Sequence, residues 1–357
     1  MVNIFVFMLV SCSFSKDAKP LQPEEDGESV VQPDEESDVQ DADPEQAETE
    51  ETDTVISDSD PVEEPDETPD ETPDAEPEIP DEEKIKSVVI GTYNTHLFFD
   101  KVCDSGNCSS SDFEQEPTAS EYSEKVSELA GSVKEIGADI ILLQEVEKES
   151  CLKDLFEKSG TYDEFYLGEK GSNASVDTGV MTKGKITYKN KHTEQIECAD
   201  CDGGKTTFSH TFLEVHITLG GREIVVFSAH FKSKIDDDAS RRLAEAAAAA
   251  KILKKAAEKY PDALIVMGGD LNDEPGSDTL ESFESDPAFL RVADELSAKN
   301  QATYSYRGDA IAIDHIFWVK TDAGTYKKGS AEVVKDAPSW YSLGSSDHAA
   351  LKATFEF

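Results

Sequence analysis

The chain is short of positive charge. Its 357 residues hold 33 Lys and Arg against 77 Asp and Glu, a formal balance of −44. The broad basic footprint used by strong polyanion binders is therefore missing. Long apolar runs are also lacking. Ile4 to Val10 is too short to span a bilayer as a mature helix, has no Lys or Arg ahead of it, and is followed by no second candidate. A polytopic helical membrane protein is excluded. No glycine-rich phosphate cradle is present: GSNASVDTG at 171–179 lacks the Lys and the spacing that such a loop needs. Cysteines number six, and no His pattern surrounds Cys151 to mark it as a thiol nucleophile.

The acidic charge is unevenly spread. Residues 1–83 carry 30 acidic and 2 basic residues and ten of the 15 prolines; residues 84–357 carry 47 acidic and 31 basic. The second part is long enough for one folded domain with a sizeable core. Residues 17–83, with the near-repeat EEPDETPDETPDAEPEIPDEE, cannot bury enough apolar surface to fold. They read as a disordered, stretched tether reaching at most ~200 Å at about 3.1 Å per residue. Residues 1–16 read as an export signal, and LVSC at Leu9 to Cys12 resembles a bacterial lipobox. Cys12 would then be the lipidated first residue of an envelope protein held at a membrane, the alternative being a secreted protein. In that compartment CDSGNC (Cys103, Cys108) and CADC (Cys198, Cys201) are expected to form two local disulfides, with a shared four-cysteine zinc site as the rival. Cys151 is expected to be half-buried.

Apolar spacing places a helix over 120–136, closed by Gly137, and a long alanine-rich helix over 239–260, stopped by Pro261. A short helix is expected over 152–156. Strands are expected over 86–94, 139–145, 178–182, 208–219, 223–230, 263–268, 311–319 and 349–357, with Gly220 and Gly221 making a hairpin. Helices precede two of the fully apolar strands, which suggests an α/β protein of stacked sheets with helices outside.

Five polar clusters sit at or just beyond the ends of apolar runs: Asn94 in VVIGTYNTHLFFD, Glu145 in DIILLQEVE, His230 in EIVVFSAHFKSK, Asp270 and Asn272 in ALIVMGGDLNDEPGS, and Asp347 and His348 in SSDHAAL. Asn94, Glu145 and Asp347 are hard oxygen donors suited to Mg²⁺ or Mn²⁺. His230 and His348 can donate to phosphate oxygens. Asp270 and Asn272, two apart, would share a face in extended backbone. Asp314 can hold a histidine in one tautomer. Together these are the parts for metal-assisted attack of water on a phosphate ester. His315, next to Asp314 on a strand, faces away and reads as structural; His96 can share the face of Asn94. His192, His210 and His216 read as surface or sheet residues. Trp340 and Tyr341 are candidates for a cleft mouth.

These segments, in this order, resemble the endonuclease/exonuclease/phosphatase superfamily over residues 86–357. The resemblance implies a four-layer α/β sandwich with two central, mostly antiparallel β-sheets flanked by helices. It also implies roles: Glu145, Asn94 and Asp347 as metal ligands, His230 and Asn272 on the scissile phosphate, Asp270 orienting or deprotonating water, and His348 on the phosphate paired with Asp314. Either Asp270 or His348 is the base. AHFKSK and YSYRGDAIAIDHIF resemble segments of secreted bacterial nucleases, and Lys232, Lys234, Arg241 and Arg242 form a basic cluster that can meet flanking phosphates. A nuclease acting on DNA or RNA is therefore expected. A phospholipid or inositol-phosphate hydrolase and a non-catalytic binding module are the alternatives. No protein partner is expected, and the chain is expected to be monomeric.

Overall fold

A computed structural model describes residues 84–109, 111–171, 175–235 and 238–357. The expected signal with Cys12 and the tether over 17–83 lie outside the described residues. Two sheets carry the fold. The first is ordered Thr325–Tyr326, Ala350–Glu356, Ser87–Phe98, Ile140–Val146, Asp177–Thr182, Glu164–Leu167, with Glu332–Val334 also on Ala350–Glu356. The second runs Phe289–Arg291, Asp314–Val319, Leu264–Asp270, Arg222–His230, Phe212–Leu219, Lys185–His192. Each sheet has one parallel pair among antiparallel neighbours. Ser87–Phe98 runs parallel to Ile140–Val146, and Arg222–His230 parallel to Leu264–Asp270. Parallel neighbours need a crossover, and the helices Ala119–Ile136 and Ala239–Lys259 supply the two.

Local chemistry fixes both helices. Thr118 caps the first: its hydroxyl accepts from Glu121 N–H while the Glu121 carboxylate accepts from Thr118 N–H at 2.8 Å, a reciprocal box. Gly137, at φ 65°, ends it. Its buried stripe of Val126, Leu129, Val133 and Ile136 lies on the outer face of the first sheet with Tyr93, Ile141 and Leu143. Asp238 caps the second helix, whose Ala246, Ala249, Ala250 and Leu253 pack on Val225, Phe227, Ile265 and Met267 of the second sheet. Between the sheets lies a third apolar layer, with Ile90, Leu142, Val226, Val266, Ile316 and Leu351 fully buried. Each such side chain contributes roughly 2 kcal/mol of burial. Three apolar layers thus separate helix, sheet, sheet and helix, the expected four-layer sandwich.

Several expectations are corrected. Residues 311–319 do not form one strand: Asp309–Ile311 pairs with Tyr304–Tyr306 as a separate hairpin, and Asp314–Val319 begins after a break where Thr303 Oγ1 accepts from Asp314 N–H at 3.2 Å. Cys151 is fully buried rather than half-buried, and burial pushes its thiol up to about 12. Both close cysteine pairs are bridged, Cys103 to Cys108 and Cys198 to Cys201. No helix among the described residues is long and apolar enough to cross a membrane.

Candidate active site

Period-two alternation carries the site residues into the gap between the sheets. Val88, Ile90, Thr92 and Asn94 are alternate residues of one strand. Ile224, Val226, Ser228 and His230 are alternate residues of another, and Leu264, Val266, Gly268 and Asp270 of a third. In each series the apolar members belong to the layer between the sheets, and the last member is the functional residue. Asp314 is on the face of Ile316 by the same rule. Glu145 breaks it. Alternation from Ile140, Leu142 and Gln144 would turn Glu145 toward the helices, yet it has φ 62° at a register irregularity with both neighbouring strands. A left-handed conformation at a non-glycine residue costs roughly 1–2 kcal/mol. Here it lets consecutive residues serve the same side. Gln144 accepts from Thr92 Oγ1 and donates to Ser228 Oγ, each at 3.2 Å. Glu145 Oε1 accepts from Asn94 at 3.0 Å and Oε2 from Leu97 N–H at 2.7 Å.

Two glycines let Asp270 reach this position. A Cβ on Gly268 would stand 2.9 Å from Leu142 Cδ1 of the opposite sheet, and one on Gly269 would stand 1.9 Å from the Ala229 carbonyl oxygen. The tight approach of the strands therefore requires Gly-Gly before the aspartate.

Asp270 Oδ2 is the centre of the cluster. It accepts from Asn94 Nδ2 at 3.1 Å. The Nε2 atoms of His230 and His348 each lie 3.9 Å from it, and His230 Nε2 is also 3.9 Å from Glu145 Oε1. These separations are too long for direct hydrogen bonds and leave room for a small group that all of them contact. His348 Nδ1 bonds Asp314 Oδ2 at 2.8 Å. Burial disfavours charge on His348, but the Asp314 carboxylate outweighs it and raises the imidazole to about 10. Burial, helped by the charge on His348, lowers His230 to about 3. Asp270 is pushed up by burial and by Asp314. One imidazole is thus charged and the other neutral.

Asp347 lies at the edge of this group. Its Oδ1 is 2.7 Å from His96 Nδ1 and 3.9 Å from His348 Nε2. Burial disfavours its charge, but the hydrogen bond from His96 holds its carboxyl below the usual range. His96 therefore belongs to the site. Asn272 differs from the extended arrangement expected. It lies past the strand at φ 53°, its N–H donates to Asp270 Oδ1 at 2.8 Å, and its amide donates to Phe231 O at 3.1 Å. It buttresses Asp270 and the His230 strand through a turn.

Three further residues belong here that sequence reasoning missed or placed elsewhere. His210 stacks on His230 with centroids 4.0 Å apart and planes at 6°, while its Nδ1 donates to Val176 O at 2.6 Å. Tyr304 lies over His348 at 4.8 Å. Lys125 Nζ donates to His96 O and Ser345 O, both at 2.8 Å, and so ties the end of the strand that carries His96 to the loop that carries Asp347. Burial lowers it to about 8 against the pull of Asp347 and Glu145. The remaining candidates go elsewhere. His315 is buried and bonds Asp273 O at 2.9 Å, the structural role expected. His192 and His216 both hold Glu214. Trp340 is exposed. The basic cluster is largely consumed within the fold: Asp273 pairs with Lys234 at 2.9 Å and with the buried Arg242 at 3.1 Å, while Arg241 bonds Thr207 O.

The donor set suits a divalent cation. Ligand atoms of Glu145, His230 and Asp270 all lie within 4.8 Å of one another, and burial, with the Asp314 charge next, pushes Asp270 up, a push that a nearby cation would relieve. Asn94 departs from its expected role as an oxygen ligand. Its Oδ1 accepts from His96 N–H at 2.9 Å while its amide nitrogen bridges Glu145 and Asp270. It must turn over to offer oxygen.

A family model described as the endonuclease/exonuclease/phosphatase family matches residues 89–339. Comparison with curated protein sequences gives no match. Among solved structures, an endonuclease/exonuclease/phosphatase from Bacteroides vulgatus is 17% identical with a TM-score of 0.55, over 76% of this chain and 100% of that one. Truncated Caenorhabditis elegans TDP2 is 17% identical with a TM-score of 0.51, over 76% and 98%. D. rerio TDP2 complexed with a single-strand DNA product is 15% identical with a TM-score of 0.52, over 76% and 99%. These structures share the fold, and the family match spans most of both sheets and every site residue except Asp347 and His348. The chain belongs to the endonuclease/exonuclease/phosphatase family.

Proposed function

We propose that this chain is an Mg²⁺- or Mn²⁺-dependent phosphodiesterase that cleaves nucleic acid, working outside the cytoplasm on a tether anchored through lipidated Cys12. The observation that carries the chemistry is the convergence of His230, His348 and Glu145 around Asp270 Oδ2. Glu145, whose carboxylate faces His230 and Asp270, together with Asp347 at the edge of the group and a turned-over Asn94, would hold a divalent cation, which would supply charge that offsets the phosphoryl oxygens in the transition state. The protein groups do the rest. His348, held charged by Asp314, donates from Nε2 to a phosphoryl oxygen and carries a proton for the leaving oxygen. His348, held charged, serves as a donor, and Asp270 is the group we assign to accept the proton from water, its carboxylate form being favoured once a bound cation would offset the burial that pushes it up. Its carboxylate is steadied by Asn94 and by the N–H of Asn272. Neutral His230 positions the phosphoryl group from the other side. The DNA product held by the D. rerio relative supports a nucleic-acid substrate. The engaged basic cluster supports weak, degradative binding rather than a high-affinity grip.

The test is a panel of plasmid, single-stranded DNA, RNA and bis-nitrophenyl phosphate, with metal and with chelator. Cleavage of a nucleic acid that stops with chelator is expected, and His230→Ala and Asp270→Asn should each cost at least ~10²-fold in turnover. Cleavage of bis-nitrophenyl phosphate or a phospholipid alone refutes the nuclease reading and leaves the chemistry. Full activity in chelator, or near-wild-type turnover in either variant, refutes the mechanism.

A further inference from the structure

The sequence between the first strand and the first helix folds into a loop rich in carboxylates, away from the groups just described. Asp100 and Asp104 flank Cys103, the Cys103–Cys108 bridge closes the loop, and Glu114 returns beneath it. Glu147 joins from the end of Ile140–Val146. Ligand atoms of Asp104, Glu114 and Glu147 lie within 4.8 Å of one another. Glu114 and Glu147 are 2% and 3% exposed. Such burial of carboxylates is costly unless the charge is met.

The hydrogen bonding meets it only in part. Glu114 accepts from the N–H groups of Asp104 at 2.6 Å and Ser105 at 2.7 Å. Glu147 Oε2 accepts from Asp100 N–H at 2.7 Å, but its buried Oε1 has no hydrogen-bond partner among the described residues. Lys148 pairs with Asp100 at 3.1 Å and with Asp104. That is one ammonium against four carboxylates, and it bonds neither Glu114 nor Glu147. A buried carboxylate oxygen without a partner, inside a ring of other carboxylates, calls for a cation.

We infer that Asp104, Glu114 and Glu147 hold a calcium ion, at a site distinct from the catalytic one. The donors are all hard oxygens, with no imidazole or thiolate to favour zinc. They come from a loop and a strand end without fixed octahedral geometry, and the second lone pairs of Glu114 remain for a metal. Ca²⁺ accepts that arrangement more readily than Mg²⁺. The ion would brace a wall of a groove that borders the candidate site. Leu97, Phe99, Cys108 and Ser109, from the strand end and this loop, line a groove of about 460 Å³ that also contains His96 and Lys125.

The inference does not depend on the phosphodiesterase reading, and the experiment separates them. Calorimetric titration of Ca²⁺ into the full chain carrying Glu145→Gln removes the main catalytic ligand from consideration. One equivalent should bind with Kd below about 1 mM and at least 10-fold more tightly than Mg²⁺. Saturation at 100 times Kd should raise Tm by about 5 °C. Adding Glu114→Gln should abolish both effects. Asp104→Asn, a partly exposed change that folding tolerates better, should weaken binding at least 10-fold. No Ca²⁺ binding in the Glu145→Gln chain, equal affinity for Mg²⁺, or binding untouched by Asp104→Asn would each overturn the assignment.

Discussion

Asp314→Asn isolates the charge on His348 with little change in shape. In the native protein burial alone would leave that imidazole neutral. The Asp314 carboxylate, 2.8 Å away, instead holds it at about 10 against an ordinary 6.5. An amide in the same place cannot do this, so the folded-state pKa falls, with only the charges on Asp270 and Asp347 left to oppose burial. That withdraws the largest support the imidazolium has. Catalysis loses less, because a neutral imidazole can still donate a hydrogen bond. The difference between a charge-assisted and a neutral bond is about 1–2 kcal/mol, so kcat/KM should drop about 5- to 30-fold at pH 8. The pH dependence carries the sign. Native His348 stays protonated from pH 5 to 9 and adds no slope of its own. The variant imidazole gains its proton at lower pH than the native one, so the ratio of variant to native kcat/KM should rise toward pH 5. Taking the ratio cancels ionisations common to both. The assay is hydrolysis of bis-nitrophenyl phosphate at saturating metal. A ratio constant from pH 5 to 8.5, or a loss under 3-fold, would refute the charged-donor role.

Further outcomes follow from other contacts. His230 Nδ1 is buried without a hydrogen-bond partner among the described residues, so the stacked His210 ring is what orients it. His210→Phe should keep most of kcat while His210→Ala should lose about 10-fold, and equal losses would sink the stacking argument. Away from the site, Glu214 is bonded by His192 at 2.9 Å and His216 at 2.7 Å. Despite burial, these imidazoles lower its carboxyl to about 2, while Glu214 raises His192 above its ordinary 6.5 against burial. The carboxylate contribution is present above about pH 4.5 and fades as pH falls toward 2. The His192 contribution is full below 6.5 and fades as pH rises through the higher folded value. Glu214→Gln should therefore cost most between pH 4.5 and 6.5, by about 2 kcal/mol in urea denaturation. A cost unchanged between pH 5.5 and 9 would contradict the pairing.

The elements that the sequence announces are those whose physics is local. VVIGTYN, DIILLQEV, EIVVFSAH and ALIVMGGD are continuous apolar runs because strands between two covered faces bury both sides, and their polar ends gave Asn94, Glu145, His230 and Asp270. Thr118 and Gly137 mark the first helix by capping chemistry. The missed parts depend on partners far away in the chain. Lys185–His192 is a half-exposed edge strand with no apolar signature. His210 and Lys125 look like ordinary loop and helix residues until the fold brings the Val176 carbonyl and the Ser345 loop against them. The basic run after His230 suggested an open patch because nothing local shows that Asp273 reaches back to claim Lys234 and Arg242.

Ownership of the cluster is divided. Asn94, Glu145, Asp347 and His348 belong to strands or strand approaches of one sheet, and His230, Asp270 and Asp314 to the other. Neither half holds a working set, so catalysis exists only while the two are seated together. A molecule whose sheets have slid apart by one residue could keep its helices, its strands and its circular dichroism and yet be inert. Turnover in this protein is therefore a sharper gauge of docking than any spectroscopic measure of secondary structure.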